Sequence, residues 1–288
     1  MKQKRTNTRW IAYLLLLVGG VLFTVSCSTS EDTSSVAFRL TDAPDTSGIT
    51  NVKVTVSEIK VNESADAADG QGGSWKVLTL NPAKEVDLLT LANGVTESLG
   101  ELTITGGTQI NQIRLVVDQA KVSLDQGATY IPLTIPSKSI KIVNAFQVPL
   151  SGSINIVLDF DVSRSIVKTG NGTYILKPAI RSIVENEAGR ITGTAPAGAT
   201  VYAYKDGTYI EGTEPTTSSD RDGDGTLDPA FPNAYASTLV KSDGTFTLAF
   251  MDPGTYDLVL VQGDQPKLFD NNLVVESNKG TQAGELAF

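Results

Sequence analysis

The chain has 288 residues, of which 40% are hydrophobic, with 26 glycines, 12 prolines, one cysteine and no histidine, and its formal net charge is -9. The missing histidine excludes a Ser-His-Asp or Cys-His relay, and the lone cysteine excludes an internal disulfide framework or a Cys/His zinc site. The acidic balance excludes a nucleic-acid surface, which needs clustered Lys and Arg.

The amino terminus is basic at Lys2, Lys4, Arg5 and Arg9, then apolar from Trp10 to Val25. That run is shorter than the ~20 residues of a spanning helix. With small Ser26 before Cys27 it reads as a secretory signal. Ser28 to Thr33 follow as a polar tether. Val36–Leu40 predicts the first strand. Val52, Val54 and Val56 share one phase and Ile59 and Val61 the other, so a bulge is expected between them. Asn62–Gly73, rich in Gly, Ala and Asp, predicts a mobile loop. Trp75–Leu80 predicts a strand, and Leu88–Leu99 carries a weak helical pattern.

Ile113, Leu115 and Val117 alternate, and Tyr130–Ile135 is strand-like. Ile154, Ile156, Leu158, Phe160 and Val162 form the clearest apolar face, with Asn155, Val157, Asp159 and Asp161 opposite, so a half-buried strand is expected. Tyr174–Ile183 predicts one more strand before Glu185–Gly189 breaks the pattern. Beyond it, Val201, Tyr202 and Tyr204 predict a strand. Phe246, Leu248 and Phe250 on one face, the turn Asp252-Pro253-Gly254, and Tyr256, Leu258 and Leu260 predict a hairpin. The expected fold is all-β: two antiparallel, Greek-key-like β-sandwiches in tandem after a signal peptide. The expected organisation is a signal peptide at 1–26, a lipidated tether at 27–33, a first sandwich at 34–184, a linker at 185–189 and a second sandwich at 190–288.

Four resemblances sharpen this. The start resembles a bacterial lipoprotein signal, in which the cysteine is lipid-modified and becomes residue one; this implies Cys27 as lipidation site and a membrane attachment through it. Ser30-Glu31-Asp32 resembles the export signal of outward-facing lipoproteins, which implies an outer-membrane anchor and exposure to the cell exterior. Phe38-Arg39-Leu40-Thr41-Asp42-Ala43-Pro44, Val86-Asp87-Leu88-Leu89 with Asn93-Gly94, Asp159-Phe160-Asp161 with Ser165-Ile166-Val167, and Leu176-Lys177-Pro178-Ala179-Ile180-Arg181 resemble, in order, the bacterial lipoprotein family called domain of unknown function 4382. That family implies an exported β-rich domain and assigns no activity. Asp243-Gly244-Thr245-Phe246-Thr247-Leu248 and Pro253-Gly254-Thr255-Tyr256-Asp257-Leu258 resemble a carboxypeptidase regulatory-like or transthyretin-like β-sandwich.

Asp220-Arg221-Asp222-Gly223-Asp224-Gly225-Thr226-Leu227-Asp228 places acids at loop positions 1, 3, 5 and 9 with glycine at 6. Calcium takes six to eight oxygens, and such a spacing supplies several. Asp220, Asp222, Asp224 and Asp228 with the Thr226 carbonyl are the expected calcium ligands, with a further ligand from Glu214 or a remote residue; the alternative is a solvated acidic loop inserted between strands. Asp159 and Asp161 share a strand face about 7 Å apart, a spacing that also suits acid–base work, although solvent-facing acids paired with Lys177 or Arg181 are the ordinary reading. Asp42 and Asp45 flank Pro44 as turn caps. Arg114 and Arg181 are expected in structural ion pairs, and Tyr202, Tyr204 and Tyr209 in a core or a small sugar-stacking platform. The expected function is a non-catalytic surface lipoprotein with a structural, adhesive or interaction role and an extracellular protein or glycan partner. The alternative is a glycan- or polymer-binding module, ahead of a carboxylate-only hydrolase.

Overall fold

The computed structural model describes residues 32–43, 48–68, 75–223, 227–263 and 265–288. The signal segment and Cys27 lie outside the described residues, as does Asp45. The fold is all-β. The first sandwich uses β1 (Thr33–Ala43), β2 (Asn51–Asn62), β3 (Lys76–Asp87), β4 (Glu97–Thr105), β5 (Gln109–Ser123), β6 (Ile131–Pro132), β7 (Ser139–Gln147), β8 (Gly152–Asp161) and β11 (Ile180–Val184), with β9 (Ile166–Lys168) and β10 (Tyr174–Leu176) as a small ribbon. One sheet runs β11-β8-β1-β4, and the other runs β3-β2-β5-β6 with β7 also on β5. Alternation decides what each strand buries. Val36, Phe38 and Leu40 of β1 and Ile156, Leu158 and Phe160 of β8 point into one core with Val52, Val54, Leu115 and Val117 of the facing sheet.

The expected bulge is present. The register of β2 slips between Val56 and Glu58 against both neighbours, and burial passes from Val52, Val54 and Val56 to Ile59 and Val61. An inserted residue re-phases the strand, so both halves keep their apolar side chains inside. Leu88–Leu99 is not helical: Leu88–Leu91 form one 3-10 turn that buries Leu88 and Leu91, and β4 begins at Glu97. The stretch from Tyr174 is interrupted at Pro178, which has no N–H for a ladder, and splits into β10 and β11.

The second sandwich uses β12 (Gly189–Thr194), β13 (Thr200–Lys205), β14 (Ala236–Leu239), β15 (Thr245–Met251), β16 (Gly254–Gln262), β17 (Gln265–Val275) and β18 (Gly280–Glu285). A β15-β12-β18 sheet faces a β14-β13-β16-β17 sheet. Ile191, Phe246, Leu248, Met251, Tyr256, Leu258 and Leu260 fill the space between. The expected hairpin is corrected here. β15 pairs with β12 while β16 pairs with β13 and β17, so Asp252-Pro253-Gly254 is a corner that carries the chain from one sheet to the other. At that corner Phe250 has φ 52 and sits half-buried, and Met251 takes the core place.

Each sandwich also holds one parallel pair in its otherwise antiparallel sheets: β1 with β8, and β12 with β18. Both pairs join strands far apart in sequence, as parallel neighbours need a long connection. In the second sandwich, β12 is hemmed in by both of its neighbours in the same sheet, β15 and β18. A Cβ on Gly193 would sit 2.7 Å from Phe246 Cζ and 2.8 Å from Gly284 O. Gly193→Ala is therefore expected to cost on the order of 1–3 kcal/mol through overpacking, read as a lower denaturant midpoint with an unchanged slope.

Candidate functional site

The two acids singled out on β8 do not face solvent. Asp159 is 9% exposed and Asp161 is 6% exposed. Opposite Asp159 in the antiparallel register stands Arg181 of β11. Arg181 Nε and Nη2 approach one oxygen, Asp159 Oδ2, at 2.7 and 2.6 Å. The guanidinium carbon also lies 4.5 Å from the ring centroid of Tyr235, a residue of the second sandwich. Burial opposes the charge on Arg181, but Asp159 and Tyr235 together outweigh it, and the group is held above its ordinary range. Burial likewise pushes the Tyr235 phenol up.

Asp161 ends β8 and caps the one-turn helix α1 (Val162–Ser165). Its Oδ1 accepts from Arg164 N at 3.1 Å and Ser163 Oγ at 2.6 Å, and its Oδ2 accepts from Arg164 Nε at 2.7 Å. Arg164 then reaches across, donating from Nη1 to Ala234 O at 2.7 Å. Asp42 reinforces the same turn, since its Oδ1 accepts from Val162 N at 3.0 Å. A row of charge thus lies where the two sandwiches meet. Beside it opens a cleft of about 500 Å³, lined by Asp161, Arg164, Arg181, Lys205, Tyr235 and Ser237 among others.

Each carboxylate is committed to a guanidinium, so neither is a free acid or base in this arrangement, and the solvent-facing reading of the pair is overturned. The cause is the second sandwich, which covers what would be the outer face of β8. The expected partner Arg181 is the right one for Asp159. Arg114, by contrast, makes no ion pair among the described residues; it donates to Ala67 O at 3.3 Å and lies 5.8 Å from the Trp75 ring centroid. Sequence reasoning missed Arg164, Lys205, Tyr235 and Ser237. Only Arg164 carried a readable signal, an i,i+3 spacing after an acid at a strand end.

The tyrosine platform is also overturned. Tyr202, Tyr204 and Tyr209 are 8%, 0% and 8% exposed. Tyr202 stacks on Phe231 at 4.4 Å and Tyr204 meets Tyr209 edge-on at 5.0 Å, forming a third apolar cluster on the second face of β13 and β16. In the acidic loop, Ser219 and Asp228 form an antiparallel bridge, Asp220 Oδ1 accepts from Gly223 N at 2.8 Å, and Asp228 Oδ2 accepts from Arg221 N at 2.9 Å. Asp224 and Thr226 lie outside the described residues, and among the described residues no three acids come close enough to hold an ion. Glu214 is engaged elsewhere: it accepts from Tyr204 Oη and Asn233 N, each at 3.0 Å.

The model of the family described as "Domain of unknown function (DUF4382)" matches residues 33–178, and the chain belongs to that family. No curated protein matches it. Among solved structures it is similar to the minor pilin GBS52 of Streptococcus agalactiae, at 11% identity over 88% of this chain and 95% of that one, with a TM-score of 0.22. It is similar also to the shaft pilin SpaA of Lactobacillus rhamnosus GG, at 12% identity over 89% and 99%, with a TM-score of 0.20. A third is BcpA, the major pilin subunit of Bacillus cereus, at 11% identity over 88% and 70%, with a TM-score of 0.20. Scores this low do not define a shared topology.

Removing Arg181 would strand the Asp159 charge in a place water barely reaches. Arg181→Ala is expected to cost about 3–5 kcal/mol, whereas replacing both partners with leucine recovers much of the loss. Denaturation of the two single variants and the double measures the coupling directly.

Proposed function

We propose that this chain is a non-catalytic bacterial lipoprotein, anchored in the outer membrane through lipid on Cys27 and facing the cell exterior, with a structural, adhesive or interaction role. The observation that carries the non-catalytic part is the commitment of Asp159 and Asp161 to Arg181 and Arg164. With no histidine in the chain, these acids were the best remaining candidates for proton transfer, and their geometry serves the junction between the sandwiches instead. The anchor rests on the basic start, the apolar run and the cysteine that follows it. Several acyl chains on one residue would hold a folded body firmly, since each buried methylene contributes ~0.8 kcal/mol. The second sandwich is read as a carboxypeptidase regulatory-like accessory module.

Cys27→Ser is expected to abolish incorporation of labelled palmitate and to release the protein from the membrane fraction; a variant that stays labelled and membrane-bound removes the anchor assignment. Protease added to intact cells should digest the body if it faces outward and spare it if it faces the periplasm.

The acidic loop belongs to the same reading as a calcium-stiffened insertion, with Asp220, Asp222, Asp224, the Thr226 carbonyl and Asp228 as ligands. Its support is the Asp-x-Asp-x-Asp-Gly spacing and the tight turn at Gly223, where φ is 76. Affinity should fall in the range of about 10⁻⁴–10⁻³ M typical of extracellular modules. Calcium is expected to raise the melting temperature and protect residues 214–233 from protease, and equal behaviour in calcium and in chelator removes this site.

A further inference from the structure

We propose that the end of the first sandwich at which the chain enters is a lipid-facing surface, with Leu150 at its tip and Trp75 and Val143 on its flank. This surface rests on the lipid-anchor reading above and adds to it the part of the body that meets the membrane. The fold defines the entry point. Thr33 opens β1 opposite Thr105, the last residue of β4, and Gly106 N donates to Asp32 O at 2.7 Å. The start of β8 lies beside the start of β1, with Gly152 next to Ser34, and Ser34 Oγ donates to Pro149 O at 2.7 Å. The connection 148–151, which carries Leu150, therefore sits where the tether joins the body. Only Ser28 to Glu31 separate Cys27 from Asp32, and that stretch spans at most about 18 Å when fully extended. Lipid on Cys27 would hold this end of the sandwich near the membrane surface and leave the opposite end standing away from it.

The second observation is independent of the tether. Leu150 is 68% exposed, more than any other large apolar side chain among the described residues, and Val143 follows at 59%. Val143 stands opposite Gln112, three residues into β5 from its start at Gln109, so it belongs to the same end. Trp75 belongs there too. It directly precedes Lys76, which opens β3 opposite Val61, next to the last residue of β2. It is the only tryptophan beyond the signal segment. Its Nε1 donates to Ala68 O at 3.3 Å, and its ring centroid lies 5.8 Å from the Arg114 guanidinium carbon. An amphipathic ring of this kind settles at the level of lipid headgroups.

Charge fits the same partner. Lys60, Arg114 and Lys141 stand directly opposite one another across β2, β5 and β7. Like charges so placed work against sheet pairing. Lys60 pairs with Glu58 at 3.2 Å, whereas Arg114 and Lys141 meet no carboxylate among the described residues. Long cationic side chains lay their stems along apolar surface and carry their heads to an interface, where lipid phosphates accept from them. Among the described residues at this end, Lys60, Lys76, Arg114 and Lys141 balance Asp32, Glu58, Glu63 and Asp66, in a chain whose net charge is -9. Headgroups therefore repel this end less than they repel the chain as a whole. Single exposed apolar residues are ordinary on a protein surface, and that is the rival account. Leu124, 47% exposed, supplies the comparison: it lies just past the far end of β5, a strand of 15 residues and about 50 Å.

The test uses the full lipidated chain in phosphatidylcholine vesicles whose acyl chains carry bromine. Lipid on Cys27 consumes the one native thiol, so Leu150→Cys, Val143→Cys and Leu124→Cys each offer a single site for a polarity-sensitive fluorophore. Quenching by the brominated lipid is expected to be about threefold or more stronger at 150 than at 124, with a blue shift at 150 and none at 124. The label at 143 is expected to be quenched as well, and to lose about half of that quenching or more when Leu150→Glu is added, since a charge at the tip opposes contact with lipid. All three positions are exposed, so the variants should melt as the parent does. Equal quenching at 150 and 124, quenching at neither, or no loss on Leu150→Glu, in a chain that stays on the vesicles, overturns the lipid-facing surface and leaves the anchor reading standing. A lipid-treated chain that does not stay on the vesicles removes the anchor reading and this surface with it.

Discussion

The buried pairing of Asp159 with Arg181 is the constraint on which the arrangement of the two sandwiches depends. Taking two ions out of water costs several kcal/mol per ion after relaxation. The loss is offset here only because the guanidinium meets one carboxylate oxygen with two nitrogens and lies against the Tyr235 ring at the same time. A guanidinium is planar and its donors are fixed in direction. Such a group tolerates little rotation of one sandwich against the other. Arg164 adds a second directional tie, since its guanidinium binds Asp161 on one side and Ala234 O on the other. An apolar seam of equal area would bind but would not specify an angle so narrowly.

Within each sandwich the organising force is different. Apolar side chains at every second position build the two cores, and polar contacts are secondary there. β13 and β16 depart from this rule because they are buried on both faces: the sandwich core covers one, and the cluster of Tyr209, Phe231 and Ala234 covers the other. The covering residues come from the long connection between β13 and β14, which also carries the acidic loop. Glu214 pins that connection by accepting from Tyr204 Oη and from Asn233. A segment that reads as a polar insertion therefore has a structural anchor of its own, and the same connection supplies Asn233, Ala234 and Tyr235 to the cleft.

These features suit a body that must keep its shape. Two cores are joined through directed charge, a corner at Asp252-Pro253-Gly254 links the sheets of the second sandwich, and the best-placed acids are tied down. The cleft beside this junction is bordered by Arg164, Arg181 and Tyr235.

Much of the first sandwich was legible from residue order alone. The phase change between Val56 and Ile59 marked a bulge, because side-chain direction along a strand is strictly alternating and only an extra residue can switch it. The apolar face of β8 and the all-β class were legible for the same reason. The second face of β8, the burial of Tyr202 and Tyr204, and the crossing of Asp252-Pro253-Gly254 between sheets were not. Alternation tells which residues lie on one side of a strand; it says nothing of what covers the other side. Arg181 is far in the chain from Tyr235 and Ser237 and meets them only because two sandwiches pack together. Local periodicity determined the elements, and the basic start, apolar run and single cysteine stood out by position, but the charged junction between the sandwiches was decided by tertiary packing, since burial and ion pairing depend on surfaces brought together from distant segments.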